Sequence, residues 1–330
     1  MGTPDPKAGQ RPLASILIPV YNRSGLIEAT VRSALAQSYA PIEVVVVDNA
    51  STDATWEVLQ RLALEDARLR IFRNETNLGP VRNWRACAEH ARGHYAKILW
   101  SDDLIEPNYL ARCLPVLEQP GVGFVYTTAR IFGDVNESRA LVYRGLPAGV
   151  HASRRYVQGI FEDGDLPVSP GCAVLRRSDL LKNLLVDVPN PVGSDFAQHA
   201  IGNDLLIFLL TAADHPAFGV VAEPLSLFRA HQGSITSSTA PVRLVANYDL
   251  AKAYFATTRL GGAPSLARLL DVYLHIHLRR YGEMPYGLRR VGDFYPSQAE
   301  RCIPPAELLR VELRRFVRRI TRRLRTRAQA

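Results

Sequence analysis

Two short apolar runs, Ser15–Val20 (SILIPV) and Glu43–Val47 (EVVVV), constrain this chain more than any other feature. Neither alternates polar and apolar residues, so both faces of each strand must be covered, as in a parallel sheet layered between helices. Between them Ile27, Val31, Ala34 and Leu35 recur at helical spacing, and Ser24 is placed to cap that helix. The unit is strand, helix, strand.

The alternation continues. Asp53 is placed to cap a helix running to about Leu64, and Arg70–Phe72 reads as a third strand. Pro80 suits a first helical turn, Val81, Trp84, Ala88 and Ala91 form an apolar stripe, and Gly93 ends it. His94–Trp100 reads as a fourth strand, and Pro107 opens a helix with Leu110, Leu114 and Leu117 on one face. This βαβαβαβ order predicts an α/β fold with a mostly parallel sheet. Farther on, Phe124–Ile131 and Val220–Phe228 read as strands and Asp204–Ala213 as an apolar helix. Arg139–Pro170 mixes Gly, Pro and charge like a loop region, and the chain beyond Pro241 reads as helical, with a Gly/Pro-rich break between Tyr281 and Pro296.

Charge is unevenly distributed. The 330 residues carry a net +8, yet positions 306–330 hold nine Arg against Glu307 and Glu312, leaving a nearly neutral body. A neutral body with a basic tail does not read as a nucleic-acid-binding domain, and no nucleic acid partner is expected. Leu309, Leu313, Phe316, Val317, Ile320 and Leu324 recur at helical spacing in that tail, among Arg310, Arg314, Arg315, Arg318, Arg319, Arg322 and Arg323. The pattern fits an interfacial helix on an anionic membrane surface, or equally a helix packed on protein. No apolar run approaches the roughly 18 residues of a membrane span. The polar, Pro-rich start through Arg11 and Pro12 lacks a signal-peptide core, so a cytoplasmic location is expected, peripheral to the membrane if the tail docks. Cys87, Cys113, Cys172 and Cys302 are scattered and read as plain thiols.

In open α/β sheets, ligands bind at the carboxyl ends of the strands. Three polar clusters fall there: Pro19-Val20-Tyr21-Asn22, Asp48 through Asp53, and Ser101-Asp102-Asp103. Adjacent carboxylates are costly unless exposed or bridged by a cation, and oxygen ligands suit Mg²⁺ or Mn²⁺. A solvated turn explains Asp102 and Asp103 as well, and Asp48 could simply start an Asx-turn. Asn77 and Gly79 could be a turn with a cap, and Arg82 and Asn83 a solvated face.

Ser15–Asp53, Asn77-Leu78-Gly79 with Gly93-His94-Tyr95, and Trp100-Ser101-Asp102-Asp103 together resemble the family-two inverting glycosyltransferases. The similarity covers roughly the first 115 residues and resumes at Gly202-Asn203-Asp204 and Phe228-Arg229-Ala230-His231. It implies a GT-A fold: a Rossmann-like sheet flanked by helices, here with a helical C-terminal extension. It implies a flexible N-terminus over 1–12, a nucleotide-sugar-binding half over 13–118, an acceptor-binding and catalytic half over 119–240, and a helical region over 241–330 with the basic tail. A nucleotide-diphosphate sugar, UDP favoured, is the implied donor, and a lipid-linked or polysaccharide glycan the acceptor. Pro19, Tyr21 and Asn22 would line the nucleotide pocket and Asp48 would meet the base. Asn77, Gly79 and Arg82 would border the diphosphate. Asp102 would approach the ribose or sugar, and Asp103 would hold Mn²⁺ or Mg²⁺. Asp204 falls at the catalytic carboxylate, with Asp195 a rival because Gly202-Asn203 replaces the usual acidic neighbour. His231 would approach the diphosphate or metal, or else simply pack. Arg23 replaces the usual acidic residue after Tyr21-Asn22. The rivals are an idle sugar-nucleotide-binding or scaffold protein and a nucleotidyltransferase, although no Gly-rich basic loop follows the first strand. No G-x-G-x-x-G marks a dehydrogenase.

Overall fold

A computed structural model of the chain describes residues 11–133, 140–231 and 239–327, with side chains through Phe316 in the last helix. The first half follows the expected alternation: β1 (Ala14–Val20), α1 (Ile27–Leu35), β2 (Ile42–Asp48), α2 (Thr55–Glu65), β3 (Leu69–Arg73), α3 (Pro80–His90) and β4 (Tyr95–Ile98). A two-residue strand, β5 (Leu104–Ile105), precedes α4 (Tyr109–Leu117) and the long β6 (Val122–Phe132). Then come β7 (Leu141–Val142), β8 (Gly149–Ala152), α5 (Ser153–Phe161), β9 (Ala173–Arg176), α6 (Arg177–Asn183), α7 (Phe196–His199), α8 (Asn203–Asp214) and β10 (Ala217–Arg229). Three helices end the chain: α9 (Pro241–Arg259), α10 (Pro264–Tyr281) and α11 (Pro305–Arg327).

One sheet carries all the strands, in the order β3-β2-β1-β4-β9-β6-β10-β5, with β7 beside β6 and β8 beside β10. Strands β3, β2, β1 and β4 run parallel, because each is joined to the next by a covering helix. The second half is mixed: β9 runs antiparallel to both β4 and β6, and β5 antiparallel to β10. β10 runs parallel to β6, so the expected mostly parallel sheet holds for the six main strands, and β9 and the short strands run against them.

Side-chain alternation explains the unbroken apolar runs. Ile16, Ile18, Val44 and Val46 face α1, α2 and α4, whereas Leu17, Val45 and Val47 face α3 and the helices of the second half. Every residue of β1 and β2 is buried. The loop-like segment hides α5, whose Tyr156, Val157, Ile160 and Phe161 are buried. Its stripe is too short to stand out among the flanking Gly and Pro residues.

Two expected end signals act differently. Ser24 does not cap α1; the chain first makes a turn in which Leu26 and Ile27 donate to the Arg23 carbonyl, and Ser24 donates its backbone N–H to Asp53 Oδ2 at 3.1 Å. Gly93 lies beyond the end of α3, where its N–H donates to Ser15 Oγ at 2.9 Å, and a Cβ there would meet that oxygen at 2.5 Å.

The C-terminal helices are locked to the body by a buried polar knot. His277 on α10 contacts Asp249 on α9 at 2.7 Å through Nδ1 and Asp163 after α5 at 3.0 Å through Nε2. Lys252 lies 3.2 Å from Asp249 and 3.6 Å from Asp163. Burial alone would lower the His277 pKa, but the two carboxylates outweigh it and raise it from 6.5 to about 9. The bound proton therefore stabilises the fold fully below pH 6.5, and that contribution disappears as pH rises through about 9. A shift of this size corresponds to roughly 3 kcal/mol. Urea denaturation should show stability falling between about pH 7 and pH 10, and His277→Gln should flatten that dependence while lowering stability at pH 7.

Candidate active site

The carboxyl ends of β1 and β2 are held in conformations that few side chains accept. Asn22 and Ala50, just after them, have φ of 51° and 59°. Asn22 is tied across the gap by its N–H to Ser51 Oγ at 2.9 Å and by Thr52 N–H donating to its Oδ1 at 2.8 Å. Pro19 is buried in β1, whereas Tyr21 stands 42% exposed at the mouth. Asp48 is fully buried: its carboxylate accepts from Ser51 and pairs with Arg73 Nε at 3.1 Å. A base approaching Asp48 must therefore share or displace the Ser51 bond.

An asparagine network fixes the next edge. Asn49 Nδ2 donates to Asn77 Oδ1 at 2.8 Å, and Asn49 Oδ1 accepts from Leu78 N–H at 3.0 Å and from Asn74 Nδ2 at 2.9 Å. Asn77 Oδ1 accepts from Gly79 N–H at 2.9 Å, and Asn74 Nδ2 reaches Asn83 Oδ1 at 3.0 Å. Asn83 is buried rather than solvated and donates to the Val47 carbonyl at 3.0 Å. Gly79 has φ 83°, and a Cβ there would sit 3.1 Å from Gln198 Oε1. Arg82, one turn into α3, is 42% exposed and reaches Asp187 at 3.4 Å.

The Asp102-Asp103 turn is gripped by the end of β10. Strand β5, immediately after Asp103, pairs with β10 through Leu104–Leu227 and Ile105–Ser226. Arg229 donates its backbone N–H to Asp103 Oδ1 at 2.8 Å and its Nε to the Asp102 carbonyl at 2.9 Å. His231 Nε2 lies 2.7 Å from Asp102 Oδ2. Burial, then the neighbouring Asp102 charge, push the Asp103 pKa well above the usual carboxylate range against the Arg229 N–H. Beneath the turn Lys97 is fully buried, donating to the carbonyls of Ile98 and Gly171, and burial lowers its pKa to about 8.

Asp204 lies in the first turn of α8. Its Oδ1 accepts from Gly202 and Leu205 N–H, both at 2.8 Å, and its Oδ2 accepts from Tyr248 Oη at 2.9 Å. Burial raises its pKa to about 6, against those hydrogen bonds. Asp195 differs: it is exposed and caps α7 by accepting from Gln198 N–H. Burial, and after it the charges around Tyr143, push its hydroxyl pKa well above the usual value. Its φ of 64° is rare for an aromatic residue, and Asp165 holds it by accepting the N–H groups of Tyr143 and Arg144 at 2.8 and 2.9 Å. Asn77 was singled out, and Asn83 was read as a solvated face, whereas Tyr143, Tyr248, Lys97 and Asn74 were not singled out from the sequence. Only the asparagines leave a trace there, as a cluster around the β2 end and the start of α3. Among the described residues, no group of three or more His, Cys, Asp or Glu side chains is arranged to hold a metal by itself.

The family model described as "Glycosyl transferase family 2" matches residues 15–185, just over half of the chain. The chain belongs to that family. Chondroitin synthase and hyaluronan synthase of Pasteurella multocida are each 37% identical over 135 residues, which is 41% of this chain and 14% of theirs. An Escherichia coli UDP-Glc:alpha-D-GlcNAc-diphosphoundecaprenol beta-1,3-glucosyltransferase is 33% identical over 122 residues, 37% of this chain and 48% of its own. The chain thus spans only a fraction of the length of these family members. Among solved structures, S. aureus TarS 1–349 in complex with UDP-GlcNAc superposes with a TM-score of 0.60 at 18% identity, covering 81% of this chain and 72% of that one. The mannosyltransferase PcManGT from Pyrobaculum calidifontis, in complex with GDP-Man and Mn²⁺, gives 0.51 at 19% identity, covering 86% and 79%. These establish the GT-A architecture of the family in this chain.

Gly79 offers a test of the turn at the family's shared edge. Gly79→Ala forces a side chain into a left-handed backbone beside Gln198. It should cost about 1–2 kcal/mol in urea denaturation.

Proposed function

We propose that the chain transfers a sugar, with inversion, from a UDP-sugar to an acceptor hydroxyl on a lipid-linked or polysaccharide glycan, with a divalent cation at Asp103 and His231 and with Asp102 toward the donor ribose or sugar. The observation that carries this reading is the meeting of Asp102, Asp103 and His231 at the carboxyl edge of the sheet, through the Arg229 N–H on Asp103 and the His231 contact with Asp102. In this reading residues 13–118 hold the donor, and 119–240 supply the acceptor side and the base.

The donor set fits a hard cation. Asp103 is a buried carboxylate under the repulsion of Asp102, and a cation relieves both burdens. Mg²⁺ and Mn²⁺ sites of this kind take one or two carboxylates and complete their shell with substrate phosphates and water, which agrees with an incomplete set in the protein alone. When bound, the cation supplies neutralisation of the leaving diphosphate. The PcManGT complex with GDP-Man and Mn²⁺ and the TarS complex with UDP-GlcNAc support the same classes of ligand here.

The chain's own residues do the rest. Tyr21, Asn22 and the Asp48–Ser51 corner wall the nucleotide, while Asn77, Gly79 and Arg82 border the diphosphate. Asp204 accepts the proton of the attacking hydroxyl. A pKa near 6 suits a base that must be ionised near neutrality yet still bind a proton. Its hydrogen bonds from Gly202, Leu205 and Tyr248 fix its position on a rigid helix. One base and one in-line displacement invert the anomeric centre. An idle sugar-nucleotide binder would show thermal stabilisation by UDP-sugars without release of UDP, so turnover of a UDP-sugar panel with Mn²⁺ decides between the two.

Asp103→Asn keeps an oxygen to accept the Arg229 N–H, so the fold should persist. Calorimetry should show that Mn²⁺ no longer tightens UDP binding; an undiminished Mn²⁺ effect would remove Asp103 from the metal site. For Asp204→Asn, turnover should fall ~10²–10⁴-fold. Stability moves the other way. A carboxyl raised from 3.8 to about 6 weakens the fold progressively as pH rises between those values and fully above about 6, so the neutral amide should hold or raise the melting temperature at pH 7.5 or so. Turnover within a few-fold of the parent would pass the role to Asp195.

A further inference from the structure

The last helix packs by one face and leaves another bare. Val311 is buried against Val272 and Tyr273 of α10, with Leu308, Ile303, Leu269 and Ile276 around it. The Arg315 guanidinium lies 5.3 Å from the centre of the Tyr273 ring. Both acidic residues of the tail pair with arginines of α10: Glu307 with Arg268 at 3.9 Å and the exposed Glu312 with Arg279 at 3.7 Å. Leu309, Leu313 and Phe316 take no part in it and stand 59%, 56% and 61% exposed. Their spacing of four and three residues sets them in one stripe. With Ile276 and Arg280 of α10, and Glu312 and Arg315 of α11, they line an open groove. Exposed Arg310 and Arg314 flank the stripe. The side chains of the expected continuation, Val317, Ile320 and Leu324 with the arginines among them, lie outside the described residues.

We infer that this stripe, with its flanking arginines, docks on an anionic lipid bilayer. Three large apolar side chains held in water beside unpaired positive charge suit a surface that is apolar just below a layer of negative groups. Charge selects among the occupants. Glu307 and Glu312 are each offset by an arginine of α10, and Arg280, Arg310, Arg314 and Arg315 outnumber the one glutamate that lines the groove, so this side carries a net positive charge. A second copy of the chain would bring the same arginines against it, because a two-fold interface repeats one patch on itself. An RNA would neutralise the arginines but leave Leu309 and Leu313 in water, with Phe316 alone to stack. Among the described residues no helix is long and apolar enough to cross a membrane, so the helix lies along the surface. Each basic residue close to such a surface strengthens attachment, and ions weaken it. This inference is independent of the chemistry proposed for the cleft.

The test is co-sedimentation of the full chain with phosphatidylcholine vesicles, with or without about a third phosphatidylglycerol. The chain should pellet with the anionic vesicles only, and less as salt rises. Leu309→Gln, Leu313→Gln and Phe316→Gln combined should keep the melting temperature and lower the bound fraction by roughly tenfold or more. Arg310→Gln with Arg314→Gln should weaken binding several-fold. In full-length Phe316→Trp, emission should shift to the blue on adding anionic vesicles. The inference is overturned if the triple variant pellets like the parent, if neutral vesicles serve equally, or if the tryptophan emission stays unmoved. It is equally overturned if light scattering finds a dimer that the triple variant dissolves, because the stripe is then a subunit contact.

Discussion

The grip of β10 on the Asp102-Asp103 turn is the contact on which the site depends. A backbone N–H of Arg229 fixes Asp103, and the Arg229 side chain fixes the Asp102 carbonyl. His231, two residues on, reaches Asp102. Two carboxylates and an imidazole thus meet because a two-residue strand pairs with the far end of a long one. Left alone, the aspartates would repel and turn to solvent. Held, they form a stiff negative rim at the edge of a sheet whose other strand ends are also polar.

The first half was legible because its constraints are local. β1 and β2 bury every residue, so their sequences have no polar interruption to obscure them. Pro80 occupies the helix position at which its missing N–H costs nothing. The Gly79 conformation likewise belongs to a local turn. Ser24 misled because a polar residue before an apolar stripe reads as a cap whether or not the chain inserts another turn.

The second half was hard to read for the opposite reason. β9 enters antiparallel between β4 and β6, and nothing within four residues of sequence encodes that choice. The site residues that escaped notice share this dependence on distance. Tyr248 matters only because α9 lays it on Asp204, 44 positions away. Tyr143 matters because Asp165 holds its backbone in a left-handed conformation, 22 positions away. Lys97 sits inside an apolar strand and would be read as a surface residue in any strand with one wet face. Motif resemblance singled out His231, which the structure brings to Asp102, because order and spacing preserve information that local pattern lacks.

The pairing of β5 with β10 also bears on how the chain matures. The bonds that join Arg229 and His231 to the aspartates span 126 to 129 positions, whereas β1, β2, β3 and β4 lie within the first hundred residues. Domains fold from the N-terminal end as they are made, and distant pairings wait for the loop between them to close. The sheet that would cradle the nucleotide is therefore laid down first, while the turn that carries the aspartates is still unheld. The rim is completed only when β10 slots between β6 and β5, near the end of assembly. A half-made chain can acquire a nucleotide fold long before it acquires the geometry to act on one.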